Sequence, residues 1–189
     1  MTSLSKLGLY ETAYLCGGAQ RVAVTAVVAM AEDGRLKISR TRHRVQVVRR
    51  SATQAVERAV LDAVPDSGRV LGPLLLQVAD SAAVKELISG LRDAGLVGHH
   101  ALAGHPHLSA EGRRTRKELE GSLARTRGER RVAVLGIGGI TDAGLRDAFE
   151  SPDPPPGGKL LPKPPRSGPD GGIPAATDLP MHPGISDRW

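Results

Sequence analysis

Two stretches of the chain repeat the same order of features. Residues 26–39, AVVAMAEDGRLKIS, and residues 86–99, ELISGLRDAGLVGH, each contain an apolar helical spacing, an aspartate, a glycine and the start of an apolar strand. Glycine closes helices because it adopts the left-handed backbone conformation without a steric penalty. Gly34 and Gly95 are therefore predicted to end equivalent helices, each followed by a turn and a returning strand.

This repeat predicts a mainly α-helical chain with short β-hairpins. A helix, a glycine and a hairpin in that order are typical of a winged-helix unit. The segment HLSAEGRRTRKEL, which follows the second copy, is similar to the ending after the wing in many winged-helix proteins. We therefore predict two winged-helix-like units in tandem, over 1–50 and 51–127, and a C-terminal packing segment over 128–150.

The chain changes character at residue 151. From there to residue 189 proline and glycine dominate and no apolar periodicity is present. Such a segment cannot bury enough apolar surface to offset the entropy lost on ordering. Residues 151–189 are therefore predicted to be a disordered tail.

Helix ends can be predicted from glycines and from short polar residues. Gly17-Gly18 is expected to end a first helix, before a second helix over about 19–33. The predicted N-caps are Ser51, Asp80 or Ser81, Ser109 and Thr141. The apolar run over 132–140 is expected to lie against the body as a short helix or strand, because its glycine spacing does not match a dinucleotide-binding loop.

The positive charge belongs to the first 150 residues. The formal net charge is +6 and the tail is neutral, with four basic and four acidic residues. A sequence pI near 10.0 favours anionic partners. Basic residues cluster in the first hairpin and in the helix after residue 109. The candidate anion- or nucleic-acid-binding residues are Arg35, Lys37, Arg40, Arg42, Arg44, Arg49, Arg50, Arg113, Arg114, Arg116 and Lys117.

Two interpretations of the hairpin stay open. Its arginines could bind phosphates as a wing, or they could be a solvated edge that prevents strand-to-strand aggregation. The helix in front of it, AQRVAVTAVVAMAED, offers few polar side chains to read bases. In the second copy, SAAVKELISGLRDAG, the charges nearly cancel.

No catalytic or metal-binding constellation is evident. Four histidines, His99, His100, His105 and His107, are weak candidates for a metal site, since no Cys, Asp or Glu lies among them. The single cysteine, Cys16, excludes an internal disulfide and is expected to be a buried residue with a raised thiol pKa. We expect no enzymatic activity and no cofactor.

The favoured function is a non-enzymatic binding module with a basic surface that docks a partner protein. The alternative is a DNA-binding transcriptional regulator of the winged-helix type. Without a signal peptide or an uninterrupted apolar stretch of membrane-spanning length, we expect a cytoplasmic protein with no membrane span.

The segment YETAYLCGGAQRV, residues 10–22, resembles the N-terminal signature of an actinobacterial family, roughly Y-E-x-A-Y-L-x-G-G-x-x-R-V. The matching positions are Tyr10, Glu11, Ala13, Tyr14, Leu15, Gly17, Gly18, Arg21 and Val22. The general layout agrees to about residue 150. Many relatives continue into transmembrane segments, which this chain lacks. The resemblance implies an architecture and no established activity.

Overall fold

The computed structural model describes residues 7–98, 107–122 and 128–153. Within these residues the chain is mainly helical with one small antiparallel sheet, as the sequence predicts. The predicted tail lies outside the described residues from position 154 onward. The elements are α1 (Leu9–Glu32), β1 (Leu36–Ser39), β2 (Arg44–Val47), α2 (Ala55–Ala63), β3 (Arg69–Val70), α3 (Leu71–Ala79), α4 (Ala82–Asp93), α5 (Ala110–Gly121), α6 (Glu129–Leu135), a 3-10 helix (Gly136–Gly139) and α7 (Ala143–Glu150).

The long helix α1 forms the centre of the core. Gly18, with φ 72°, introduces a kink, so the predicted break at Gly17-Gly18 is present inside one element. After the kink every residue from Val22 to Met30 is buried, and helices α2 to α6 all contact α1. By length and by a mean hydropathy of 1.3 the helix could span a membrane, but 78% of that stretch is buried inside the fold. A buried core helix has the same composition, so this feature alone is weak support for a membrane span.

The first hairpin forms as predicted and gains a third strand. β1 pairs with β2 in antiparallel register, with Leu36 opposite Val47. β2 pairs in turn with β3, where Val45 faces Arg69. From the sequence alone, the segment near 69–79 is expected to be a helix that is interrupted or started around Pro73. Its first two residues form the strand instead, and α3 begins directly afterwards with Pro73 in its first turn, where the missing N–H breaks no helical hydrogen bond.

Both glycines of the repeat end their helices in the same way. Gly34 has φ 76° and Gly95 has φ 72°. The residue after each glycine donates its N–H to a carbonyl five positions earlier, which is the Schellman pattern of helix termination. These bonds join Arg35 to Met30 and Leu96 to Leu91, at 2.8 and 2.9 Å.

The equivalence continues into the returning strands. Leu36 pairs with Val47 in the first copy, and Val97 forms an antiparallel bridge with Leu108 in the second. The next residue after each returning position donates its N–H to the residue after Gly34 or Gly95. The two bonds are Val48 to Arg35 (2.9 Å) and Ser109 to Leu96 (3.1 Å). Each pair of equivalent residues in the two copies is separated along the chain by the same number of residues as Gly34 and Gly95. That separation is one residue longer than the one obtained by aligning 26–39 with 86–99.

The predicted N-caps are correct in two places and wrong in two. Ser81 and Ser109 accept the N–H of Val84 and Gly112, as capping requires. Ser51 does not cap α2, which begins four residues later at Ala55. Glu57 in the first turn instead accepts the Thr53 N–H at 2.7 Å, which fixes the chain just before the helix. The cap of α7 is Asp142 in place of Thr141.

The segment over 132–140 folds as a short helix, one of the two forms that the sequence allows. Val132, Ala133 and Val134 of α6 are buried against α1. The 3-10 helix that follows brings Gly139 so close to Arg131 that an added Cβ would lie 2.5 Å from the Arg131 carbonyl oxygen. Glycine is required there for the backbones to approach.

Candidate basic groove beside α5

One predicted anion-binding residue, Arg35, is located in the interior. Its guanidinium donates to Glu57 (2.6 Å) and to Asp33 (2.7 Å), and only 8% of the residue is exposed. The Tyr10 hydroxyl donates to the same Glu57 carboxylate at 3.1 Å. Every described partner of this guanidinium belongs to the chain itself. Arg35 therefore holds the hairpin to α2 and α1, and it does not belong to an exposed basic cluster.

The ionisation of this buried cluster follows from its hydrogen bonds. Burial opposes the charge on Glu57, but the hydrogen bonds from Arg35, the Thr53 N–H and Tyr10 outweigh it and lower the carboxyl pKa to about 2. Burial and the adjacent Glu57 carboxylate raise the pKa of Tyr10. Hydrogen bonds to Glu57 and Asp33 raise the pKa of Arg35. The cluster is therefore a stable ion pair with a neutral tyrosine.

Four other hairpin arginines also contact the chain itself. Arg44 donates to the carbonyls of the turn before β3, and Arg49 donates to the Asp33 carbonyl. Arg50 pairs with Asp66 at 2.9 Å, and Arg40 approaches Asp142 at 3.5 Å. Arg40 and Arg50 remain well exposed, so these surface pairs are weak. Within the described part of the chain, Lys37 and Arg42 are the hairpin cations without such a partner.

The groove beside β1 has balanced charge. It has a volume of about 570 Å³ and lies between the hairpin and α7. Its lining includes the apolar Leu36, Ile38 and Leu145, together with two cations, Lys37 and Arg40, and two carboxylates, Glu32 and Asp142. Two cations facing two carboxylates give little net attraction for an anion.

The second group of predicted residues lies on α5, and the sequence explains how this helix is placed. The Ser109 side chain accepts the Gly112 N–H at 3.0 Å and so caps the helix. Gly112 lies so close to Leu96 that a Cβ there would be 2.0 Å from the Leu96 carbonyl oxygen. Thr115 and Leu119 are buried on the same side. The opposite side of α5 is left to solvent and carries the basic residues.

A groove of about 660 Å³ opens along this exposed side. It is lined by His107, Leu108, Arg113, Arg116, Lys117 and Glu120. Arg116 pairs with Glu120 at 2.7 Å, and Arg113 donates to the Leu108 carbonyl at 2.8 Å. Lys117 has no such partner in the described ranges. Arg114 does not line the groove and pairs with Glu111 along the helix.

The groove combines positive charge with an apolar element. Among the described residues that line it, three are cations and one is a carboxylate, and Leu108, of which 7% is exposed, is the apolar one. The volume lies within the range of about 300–1,000 Å³ that is usual for ligand sites. Of the basic residues predicted from the sequence, the structure brings Arg113, Arg116 and Lys117 together here.

The histidine cluster is only partly described. His99, His100 and His105 lie outside the described residues, whereas His107 is exposed at the groove. Within 7–98, 107–122 and 128–153, no three His, Cys, Asp or Glu side chains come together as a metal site would require. Cys16 is buried, and burial raises the pKa of its thiol to about 11, which makes it a poor nucleophile near neutral pH.

The sequence did not assign a role to Arg21, which holds α6 against α1. Its guanidinium donates to the Val134 carbonyl at 2.6 Å, near the C-terminal end of α6, where a cation is favoured. Gly17 and Gly136 lie against it, because an added Cβ at either position would be 2.7–2.8 Å from Arg21 atoms. The spacing of Gly17 and Arg21 by four residues was visible in the sequence, but the contact with α6 was not.

Several residues of the N-terminal signature therefore have structural roles. Tyr10 donates to Glu57, Gly18 forms the kink and Arg21 binds α6, while Ala13 and Leu15 are fully buried. No protein-family model matches the chain, and no curated protein or solved structure matches it.

Proposed function

We propose that the protein is a non-enzymatic interaction module that docks an acidic segment of a partner protein in the groove beside α5. The observation that carries the proposal is the composition of the groove's described lining, in which three cations and one carboxylate accompany the apolar Leu108. A segment with alternating acidic and apolar side chains matches that lining, because the cations attract carboxylates and Leu108 offers an apolar contact.

The architecture we propose for this module is a pair of winged-helix-like units. Its support is the repeated pattern of hydrogen bonds around Gly34 and Gly95. Each copy has a helix, a left-handed glycine and two antiparallel positions in the same order. In this proposal the first unit is mainly a scaffold, and the second unit together with α5 provides the binding surface.

A protein partner is favoured over DNA by the exposure of the helices. A winged-helix regulator reads bases with a helix placed in the major groove. The helix in front of the first hairpin is buried from Val22 to Met30 and cannot enter a groove. The exposed side of α4 carries both signs of charge, with Lys85 paired to Asp80 and Glu86 beside it. We also propose a cytoplasmic location, as expected from the single buried cysteine.

The direct test uses a short fluorescein-labelled peptide of alternating glutamate and leucine. We expect it to bind the full chain in fluorescence anisotropy, with an affinity that decreases as salt increases. Lys117→Glu should weaken binding roughly tenfold, because it places a carboxylate where the peptide's own carboxylates lie. The matched control is Lys37→Glu, which makes the same change of charge on β1 and should leave the affinity unchanged.

The same titration with duplex DNA distinguishes the alternative. DNA binding that falls steeply with salt and is lost on Arg40→Ala with Arg42→Ala would identify a regulator that uses its hairpin. Equal effects of Lys117→Glu and Lys37→Glu on peptide affinity would show attraction to overall charge and would contradict a site at α5.

A further inference from the structure

His43, at the tip of the first hairpin, is buried in an unusual backbone conformation. Its φ is 45°, a region that residues other than glycine seldom occupy. Only 7% of the residue is exposed, and its carbonyl accepts the Leu71 N–H at 2.8 Å. The hairpin tip is thereby fixed against the start of α3. The binding function proposed above does not use this histidine.

The His43 side chain faces a carboxylate from the end of the described chain. Its Nδ1 has no hydrogen-bond partner and lies 3.5 Å from an Asp153 carboxylate oxygen. The other Asp153 oxygen accepts the Gly72 N–H at 2.9 Å. This N–H belongs to the first turn of α3, whose preceding residue, Val70, provides no capping side chain. Free N–H groups at the start of a helix favour negative charge.

The residue at position 72 permits this approach. A Cβ on Gly72 would lie 2.1 Å from the Asp153 oxygen, so any larger residue would displace the carboxylate. Two independent elements therefore converge on one acidic side chain. One is the first turn of α3, and the other is a buried imidazole on the hairpin.

The other charged groups around His43 have partners elsewhere. Arg44 beside it donates to the carbonyls of Ser67 and Gly68, and Arg69 on β3 donates to the Ala63 carbonyl. Helix α3 carries no ionisable side chain. On α7, Arg146 donates to the Ile140 carbonyl, Asp147 lies near Ser151, and Glu150 is exposed. Of the ionisable groups around it in the described ranges, Asp153 is the one that ion-pairs with the imidazole.

We infer that His43 and the first turn of α3 form a carboxylate-binding site, which Asp153 fills from within the same chain. A neutral imidazole carries a proton on only one nitrogen, whereas an imidazolium donates from both. Protonation therefore ensures that Nδ1 carries a hydrogen, which a neutral imidazole has there in only one of its two tautomers, and it adds the attraction of opposite charges. The site holds residues 151–153 more firmly when His43 is protonated.

The direction of the pH effect follows from this. Histidines gain their charge as the pH falls from about 8 to about 5. The added attraction is present at the acidic end of that interval and is lost as the pH rises through it.

The Gly72 amide reports on the site, because Asp153 is its acceptor. We expect its protection against solvent exchange, measured by NMR on the full chain, to be roughly three- to fivefold greater at about pH 5.5 than at about pH 8. His43→Asn should abolish this difference, since asparagine tolerates positive φ and does not titrate. Asp153→Asn should abolish it as well, because an amide keeps an oxygen acceptor but no charge.

The matched control is Glu150→Gln, which removes an exposed carboxylate three residues from Asp153 and should keep the pH dependence. Equal protection at both pH values in the unaltered chain would overturn the inference. Persistence of the difference in His43→Asn or in Asp153→Asn would overturn it too. If His43→Asn does not fold, the result for Asp153→Asn decides alone.

Discussion

In the described residues, the two copies of the repeat share a pattern of backbone hydrogen bonds but use different chemistry at the same position. In each copy the residue after the glycine donates its N–H to the preceding helix and accepts one from the returning strand. In the first copy this residue is Arg35, which forms a buried ion pair with Glu57. In the second copy it is Leu96, which is fully buried and apolar. The same pattern of backbone hydrogen bonds therefore accommodates a buried ion pair in one copy and a buried apolar side chain in the other.

The copies also differ in what surrounds their helices. The helix before the first hairpin is contacted by α2 to α6, and every residue from Val22 to Met30 is buried. In helix α4, which ends just before Gly95, the buried residues are Val84 and Leu91. Helix α5 begins just after Leu108, whose bridge to Val97 is described, and carries the basic groove. Burial of one copy and exposure of the other therefore separate the stabilising part of the molecule from the surface available for recognition.

The largest effect that we predict is the loss of the ion pair in the first copy. Glu57→Ala leaves the Arg35 guanidinium buried with only Asp33 as an acidic partner, and it also removes the acceptor of the Tyr10 hydroxyl. Removing one partner of a buried pair costs roughly 3–5 kcal/mol. We expect a decrease of that size in the free energy of unfolding, measured by urea denaturation.

The comparison with Leu96 supplies a sharper form of this test. Replacing the whole cluster by apolar residues, with Tyr10→Phe, Arg35→Leu and Glu57→Leu together, removes all three buried polar side chains. The partners that this leaves, Asp33 and Thr53, are exposed residues that can bond to water. We expect the triple variant to regain at least half of the stability lost in Glu57→Ala. Glu120→Ala, which breaks the exposed pair with Arg116, is the control and should cost about 0.5 kcal/mol or less. A triple variant less stable than Glu57→Ala would show that the position after Gly34, unlike the position after Gly95, cannot be filled by a buried apolar side chain.

Acid should lower the free energy of unfolding through the Glu57 carboxylate, whose buried ion pair belongs to the first copy. Hydrogen bonds hold the pKa of Glu57 at about 2, below its ordinary value of 4.5, despite the opposing effect of burial. A carboxyl with a lowered pKa stabilises the fold above its unfolded pKa, and the stabilisation is lost as the pH falls through 4.5 towards 2. The loss is of order 2–3 kcal/mol.

The measurement is the unfolding free energy as a function of pH. Glu57→Gln should flatten the decline below about pH 4.5, because its side chain does not titrate. The comparator is Asp66→Asn, whose exposed carboxylate pairs with Arg50 and should leave the decline unchanged. An identical acid decline in Glu57→Gln would place the responsible carboxyl elsewhere.

Local rules predicted much of this fold. The left-handed conformations of Gly34 and Gly95 and the capping by Ser81 and Ser109 depend on a few neighbouring residues, which the sequence displays. The position of Arg35 was not predictable in this way. Its partner Glu57 is 22 residues away, and an arginine in an alternating hairpin looks the same whether it faces solvent or a buried acid.

The candidate site was predicted only in part for the same reason. The basic character of α5 was evident, but the groove requires Leu108 and the close approach of Gly112 to Leu96. The hairpin cations were expected to form a second surface. Most of them contact carbonyls and acids that the tertiary fold brings near, such as the turn that accepts Arg44 and the distant Asp142 beside Arg40.

The smallest effect that we predict tests the equivalence of the two copies itself. Both Gly34 and Gly95 have positive φ, and at neither position would an added Cβ meet another atom within 4 Å. The cost of alanine at either position therefore arises from backbone conformation alone, at about 1–2 kcal/mol. We expect Gly34→Ala and Gly95→Ala to lower the free energy of unfolding by the same amount within about 0.5 kcal/mol.

Gly90→Ala, inside α4 and equally open, should instead stabilise the chain by about 0.5–1 kcal/mol, because helical alanine is favoured over glycine. A clearly larger loss of unfolding free energy in only one of the variants Gly34→Ala and Gly95→Ala would contradict the equivalence. It would show that the glycine turn contributes more to the stability of one copy than of the other.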